Sequence, residues 1–95
     1  MLKNYESMII LEPSLTEETS KQENERILTV INNNGGEVIK TDDWGKRKLA
    51  YEILDHDEGY YFINFFKLDP QKILDYEREL KLDEKVIRYN ILVKS

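Results

Sequence analysis

An α+β fold of element order βαββαβ is what the chain predicts, a four-stranded antiparallel sheet carrying both helices on one face. Three observations lead there. Four runs are rich in Ile, Val, Tyr and Phe, two stretches open on helix-capping residues, and 95 residues are enough for one core and no more. With 40% hydrophobic and 35% charged residues the composition fits a compact domain. A chain this short buries only about 60 to 65% of its unfolded surface. It has no cysteine, so burial alone must hold it together.

The first strand is expected over Tyr5 to Leu11, an Ile-rich run closed by Glu12-Pro13-Ser14. A helix follows. Ser14 with Glu17 resembles a capping box, Thr16 is a rival cap, and Glu17-Glu18 suit the positive end of the helix dipole. Leu15, Ile27, Leu28 and Ile31 keep helical spacing, and Asn32-Asn33-Asn34-Gly35-Gly36 supplies residues that tolerate a left-handed stop. Glu37 to Ile53 is β-biased at both ends and interrupted at Asp42-Asp43-Trp44-Gly45, which predicts one long strand bent or bulged at Gly45. Leu54 to Gly59 offers a hairpin loop before a strand over Tyr60 to Leu68. Asp69-Pro70 opens the second helix, since Asp caps and Pro suits the first helical position, and Ile73, Tyr76 and Leu80 share its apolar face. Val86 to Val93 is the last strand. This order is the split βαβ, or ferredoxin-like, arrangement, whose uncovered sheet face is where function belongs. Residues 1–95 read as a single domain without repeat, linker or tail.

Composition narrows the function classes. Without cysteine there is no disulfide scaffold, thiolate zinc site or cysteine nucleophile. The single histidine, His56, stands among Asp55, Asp57 and Glu58, but consecutive loop residues diverge, and turns favour Asp for backbone reasons. Asp42-Asp43 point to opposite sides of a strand, and Gly35-Gly36 follows a helix and lacks the Gly-Lys-Ser/Thr ending of a phosphate loop. No catalytic residue, metal or cofactor is therefore expected, and no small-molecule substrate. No apolar run approaches the roughly 18 residues of a membrane span, and Met1-Leu2-Lys3-Asn4-Tyr5 lacks a signal-peptide layout. The expected place is the cytosol, with no membrane partner.

A net charge of −5 argues against indiscriminate nucleic-acid binding. The charge is nevertheless segregated. Ser14 to Asn34 holds four acids against Lys21 and Arg26, whereas Trp44 to Ala50 holds Lys46, Arg47 and Lys48 and no acid. Trp44 and Tyr51 flank these cations, a mixture of rings and charge typical of RNA-contacting surfaces. Arg88, Lys3 and Lys94 could extend the zone. The run Glu58 to Phe65 partly resembles the RNA-recognition-motif signature through Gly59, Tyr60, Phe62 and Phe65, but Glu58 replaces a basic residue and Met8-Ile9-Ile10-Leu11 lacks the companion ring. Aromatic core is the preferred reading of that strand. Of its two registers, the one keeping Lys67 in water is preferred, because an ammonium is harder to bury than an amide. That register puts Tyr61, Ile63 and Phe65 on the open face and buries Tyr60, Phe62, Asn64, Phe66 and Leu68.

The run Asp43-Trp44-Gly45-Lys46-Arg47-Lys48-Leu49-Ala50-Tyr51-Glu52-Ile53 resembles the Gly-x-Arg-x-Leu-Ala-Tyr-x-Ile signature of the bacterial small-subunit ribosomal protein S6 family. Tyr5-Glu6 resembles the opening of that family and Val86-Ile87-Arg88 its last strand, so the resemblance spans essentially the whole chain. Lys3 stands where the family often has Arg, and Glu52 where Pro is frequent. The resemblance implies a non-enzymatic structural protein that binds the central domain of small-subunit ribosomal RNA together with ribosomal protein S18. Carried onto this chain, it implies RNA contacts at Tyr5, Arg47 and Arg88, with Lys3, Lys46 and Lys48 as further cations. Trp44, Tyr61, Ile63 and Phe65 are then the expected partner surface. Three rivals remain on the same topology: a single-strand RNA module stacking bases on Tyr60 and Phe62, an acylphosphatase-like enzyme needing an Arg and Asn around a phosphate loop, and a homo-oligomeric ligand sensor.

Overall fold

The computed structural model describes residues 1–94. Strand β1 (Lys3–Leu11) leads into α1 (Glu17–Asn33), then β2 (Glu37–Ile53) and β3 (His56–Leu68), a 3-10 turn at Pro70–Lys72, α2 (Ile73–Leu82) and β4 (Val86–Lys94). The four strands form one antiparallel sheet in the order β2-β3-β1-β4, which is the expected α+β architecture.

Local chemistry fixes the helix ends. Thr16, not Ser14, caps α1: its hydroxyl accepts from the Thr19 amide at 3.0 Å, while the Thr19 hydroxyl accepts from the Thr16 amide at 2.8 Å. The Ser14 hydroxyl instead donates to the Glu12 carboxylate at 2.7 Å. Gly35, at φ +80°, makes the left-handed turn that releases the chain toward β2. The Asp69 carboxylate accepts from the Gln71 amide at 2.9 Å and so caps the turn that begins at Pro70.

Alternation along the strands sorts the side chains. Tyr5, Ile9 and Leu11 of β1 and Tyr60, Phe62, Phe66 and Leu68 of β3 pack with Ile27 and Ile31 of α1 and Tyr76 and Leu80 of α2. This is the register that keeps Lys67 off the core. The Phe66 ring sits 5.6 Å from Tyr5 and 5.1 Å from Tyr76. A polar row crosses the same face, because Thr41, Asn64 and Ser7 stand side by side on β2, β3 and β1. Asn24 of α1 exchanges two amide hydrogen bonds with Asn64, at 3.1 and 2.9 Å, and the Thr41 hydroxyl donates to the Asn64 carbonyl at 2.8 Å. The Tyr76 hydroxyl donates to Ser7 at 2.9 Å, and burial pushes its pKa well above the usual phenol range. Among the described residues no buried side-chain polar atom lacks a partner.

The hairpin loop is shorter than expected. Only Leu54 and Asp55 form the turn, both left-handed at φ 51° and 66°, and His56 already pairs with Ile53. Asp57 and Glu58 are turn-favouring residue types, yet ladder pairing to β2 outweighs that preference. As expected, β2 bulges at Gly45, whose φ of +73° suits the kink and leaves Trp44 as the surplus residue between Asp43 and Gly45.

Candidate nucleic-acid and partner interface

Among the described residues no helix covers the second face of the sheet. Its middle is apolar, with Tyr61, Ile63 and Phe65 of β3 opposite Ile10, Met8 and Glu6 of β1. Its cations sit mainly at the edges. At the hairpin end, Gly45, Tyr61, Ile10 and Arg88 form one row across all four strands, and Arg47 lies one row further on, opposite Gly59. Arg47 and Arg88 therefore share one face and one end of the sheet.

Rings carry the cations. The surplus Trp44, 48% exposed, stacks on Tyr61 with centroids 6.4 Å apart and planes 16° from parallel. The Arg47 guanidinium lies 5.7 Å from the Trp44 ring, and its Nε donates to the Trp44 carbonyl at 3.0 Å. The Arg88 guanidinium lies 5.7 Å from the Tyr51 ring and donates through Nη1 to the Tyr51 hydroxyl. Such exposed cation–ring contacts stabilise by about 0.5–1 kcal/mol each, enough to bias a rotamer without neutralising the charge. Below the hairpin tip, Met8, Ile10, Leu49, Tyr51, Ile53 and Tyr61 line a pit of about 160 Å³ with Arg88 at its rim.

The remaining expected residues divide. Lys46 and Lys48 alternate with Arg47 and so point the other way from the β2 edge, opposite Tyr60 and Glu58, with the Lys46 ammonium 5.8 Å from the Tyr60 ring. Lys3 is exposed at the far end of β1, opposite Leu68. Tyr5 departs from the expectation of an exposed contact. It is 4% exposed and stacked on Phe66 under the helices, because its place in β1 shares parity with Ile9 and Leu11. Two contacts of this face lay outside the sequence reading. Lys40 stands 4.7 Å over the Phe65 ring, and Lys94 pairs with Glu6 at 3.5 Å. The cross-strand register places Lys40 directly opposite Phe65, whereas Lys94, opposite Asn4, reaches Glu6 on the diagonal, since Leu92 stands opposite Glu6.

The face holds little that could do covalent chemistry. Among the described residues no cluster of three or more His, Asp or Glu could hold a metal ion. His56 lies in the β3 ladder, half-buried. Among the same residues no helix is long and apolar enough to cross a membrane. What the arrangement offers is contact: flat rings, an apolar middle and guanidinium groups at one end.

Comparison with known proteins agrees with this architecture. Residues 4–93 match the family model described as Ribosomal protein S6. Small ribosomal subunit protein bS6 of Rhodococcus opacus is 42% identical over 91 residues, 96% of this chain and 96% of that protein. Its counterpart in Nitratiruptor is 43% identical over 88 residues, 93% of this chain and 69% of the relative. The crystal structure of 30S ribosomal protein S6 from Thermotoga maritima superposes with a TM-score of 0.93 at 30% identity, covering 99% of this chain and 89% of the other. The Gly45-to-Ile53 signature, the sheet order and these matches agree, and the chain belongs to the ribosomal protein S6 family.

Proposed function

We propose that this chain binds the central domain of small-subunit ribosomal RNA in partnership with ribosomal protein S18, in the cytoplasm on the assembling ribosome. Membership of its family makes it a structural, non-enzymatic component of the small ribosomal subunit. The RNA and partner assignments rest on one observation above the rest: in a chain of net charge −5, Arg47 and Arg88 come to the same end of the one uncovered sheet face. Lys46, Lys48 and Lys3 are the outlying cations, reaching RNA that wraps past the β2 edge or the start of β1. The half-buried Tyr61, Ile63 and Phe65, with Trp44, form the apolar strip that receives S18.

Magnitudes favour a shared task. About four phosphate contacts give a salt slope of roughly −3 to −4 in log units, too little for tight solitary binding by an acidic protein. A basic companion supplies the remainder. The experiment is a filter-binding titration of a central-domain RNA fragment with the isolated protein and then with S18 added. Weak binding alone and strong binding together are expected, and tight binding without S18 would overturn the partnership.

A further inference from the structure

The strands β2 and β4 are opposite edges of the sheet, three inter-strand spacings or about 14 Å apart, yet Tyr51 of β2 touches Arg88 of β4. The register explains how. Between the pairs Lys48–Glu58 and Ile53–His56, β2 spends four residues, Leu49 to Glu52, where β3 offers only Asp57. The surplus chain folds across the open face as a strap, roofing the pit over Met8, Ile10 and Tyr61 and delivering Tyr51 to the far edge.

We propose that Tyr51 is a positioning residue that holds the Arg88 guanidinium in the orientation in which it meets RNA. This rests on the reading of Arg88 as an RNA contact. A guanidinium has five donors in a rigid fork. Tyr51 takes one of them at Nη1, with its ring centroid 5.7 Å from the guanidinium carbon, and the Arg88 side chain makes no other hydrogen bond among the described residues. Arg88 is exposed, and its remaining donors have no protein partner among the described residues. A long, flexible side chain is thereby ordered before RNA arrives, which removes part of the entropy loss of binding without adding a contact. Arg47 on Trp44 repeats the device at the other edge, with a backbone carbonyl in place of the hydroxyl.

Tyr51→Phe keeps the ring and removes the hydroxyl. In the full chain with S18 and a central-domain RNA fragment, Tyr51→Phe should weaken binding about three- to tenfold while leaving the salt slope unchanged, because no phosphate contact is lost. Arg88→Ala should instead flatten the slope by about one, and adding Tyr51→Phe to it should have no further effect. In the free protein, the NMR order parameter of the Arg88 Nε–H bond should fall in Tyr51→Phe. If Arg88→Ala weakens binding and Tyr51→Phe does not, the positioning role is wrong and the RNA reading of Arg88 stands. If Arg88→Ala changes nothing, the RNA reading of that residue falls first. Tighter binding by Tyr51→Phe would also overturn the proposal, by making the contact a restraint that RNA must break.

Discussion

The two faces of the sheet are made by the same strand and behave as different materials. Along β3, Tyr60, Phe62, Asn64, Phe66 and Leu68 are sealed beneath the helices, while Tyr61, Ile63, Phe65 and Lys67 stay half-buried on the uncovered side. Both sets are rich in rings, so apolar content alone does not separate folding from function. Completion does: on the helix side no buried side-chain polar atom among the described residues lacks a partner, whereas on the other side rings and cations face outward.

Substitutions that respect this division can break it. The largest loss of stability is expected from Phe66→Ala, about 3–5 kcal/mol, since the ring is 1% exposed between Tyr5 and Tyr76. Urea denaturation measures it, and a loss below about 1 kcal/mol would mean that this face is not close-packed. Next comes Asn64→Ala, which leaves Asn24 and Thr41 without their partner and should cost about 1–3 kcal/mol. Replacing both Asn24 and Asn64 by Leu should recover part of that loss, because no orphaned amide remains and only the half-buried Thr41 hydroxyl lacks its partner. Smallest for the fold is Ile63→Glu on the open side, expected to shift stability by less than about 1 kcal/mol while reducing S18 capture more than about tenfold in a pull-down titration. An equal fall in stability and capture would erase the distinction between the faces.

Much of this was legible in the residues. The cost of burying Lys67 settled the parity of β3, and with it which rings form the core. Proline and capping residues marked both helices, although the Thr16–Thr19 exchange prevailed over Ser14 with Glu17, because the chain first becomes helical after Thr16. The signature around Gly45 located the cationic edge. Other features depend on contacts distant in sequence. Asn64 meets Asn24 across 40 positions and Tyr51 meets Arg88 across 37, and no local pattern reports either. Tyr5 came to the RNA-contact set by the family resemblance alone, whereas its alternation with Ile9 and Leu11 commits its ring to the interior.

The amide pair between α1 and β3 has a consequence for how the ladder forms. A strand with large apolar groups on both sides gains nearly as much burial when shifted by one position, since a slip merely exchanges one set of rings for the other. Asn64 breaks that degeneracy. In the slipped ladder an Ile or Phe would face Asn24, whose amide would then be shut in with nothing to bond. The polar contact thus serves as a key that admits one alignment of β3, and Tyr61 and Phe65 stand outward because their neighbour cannot.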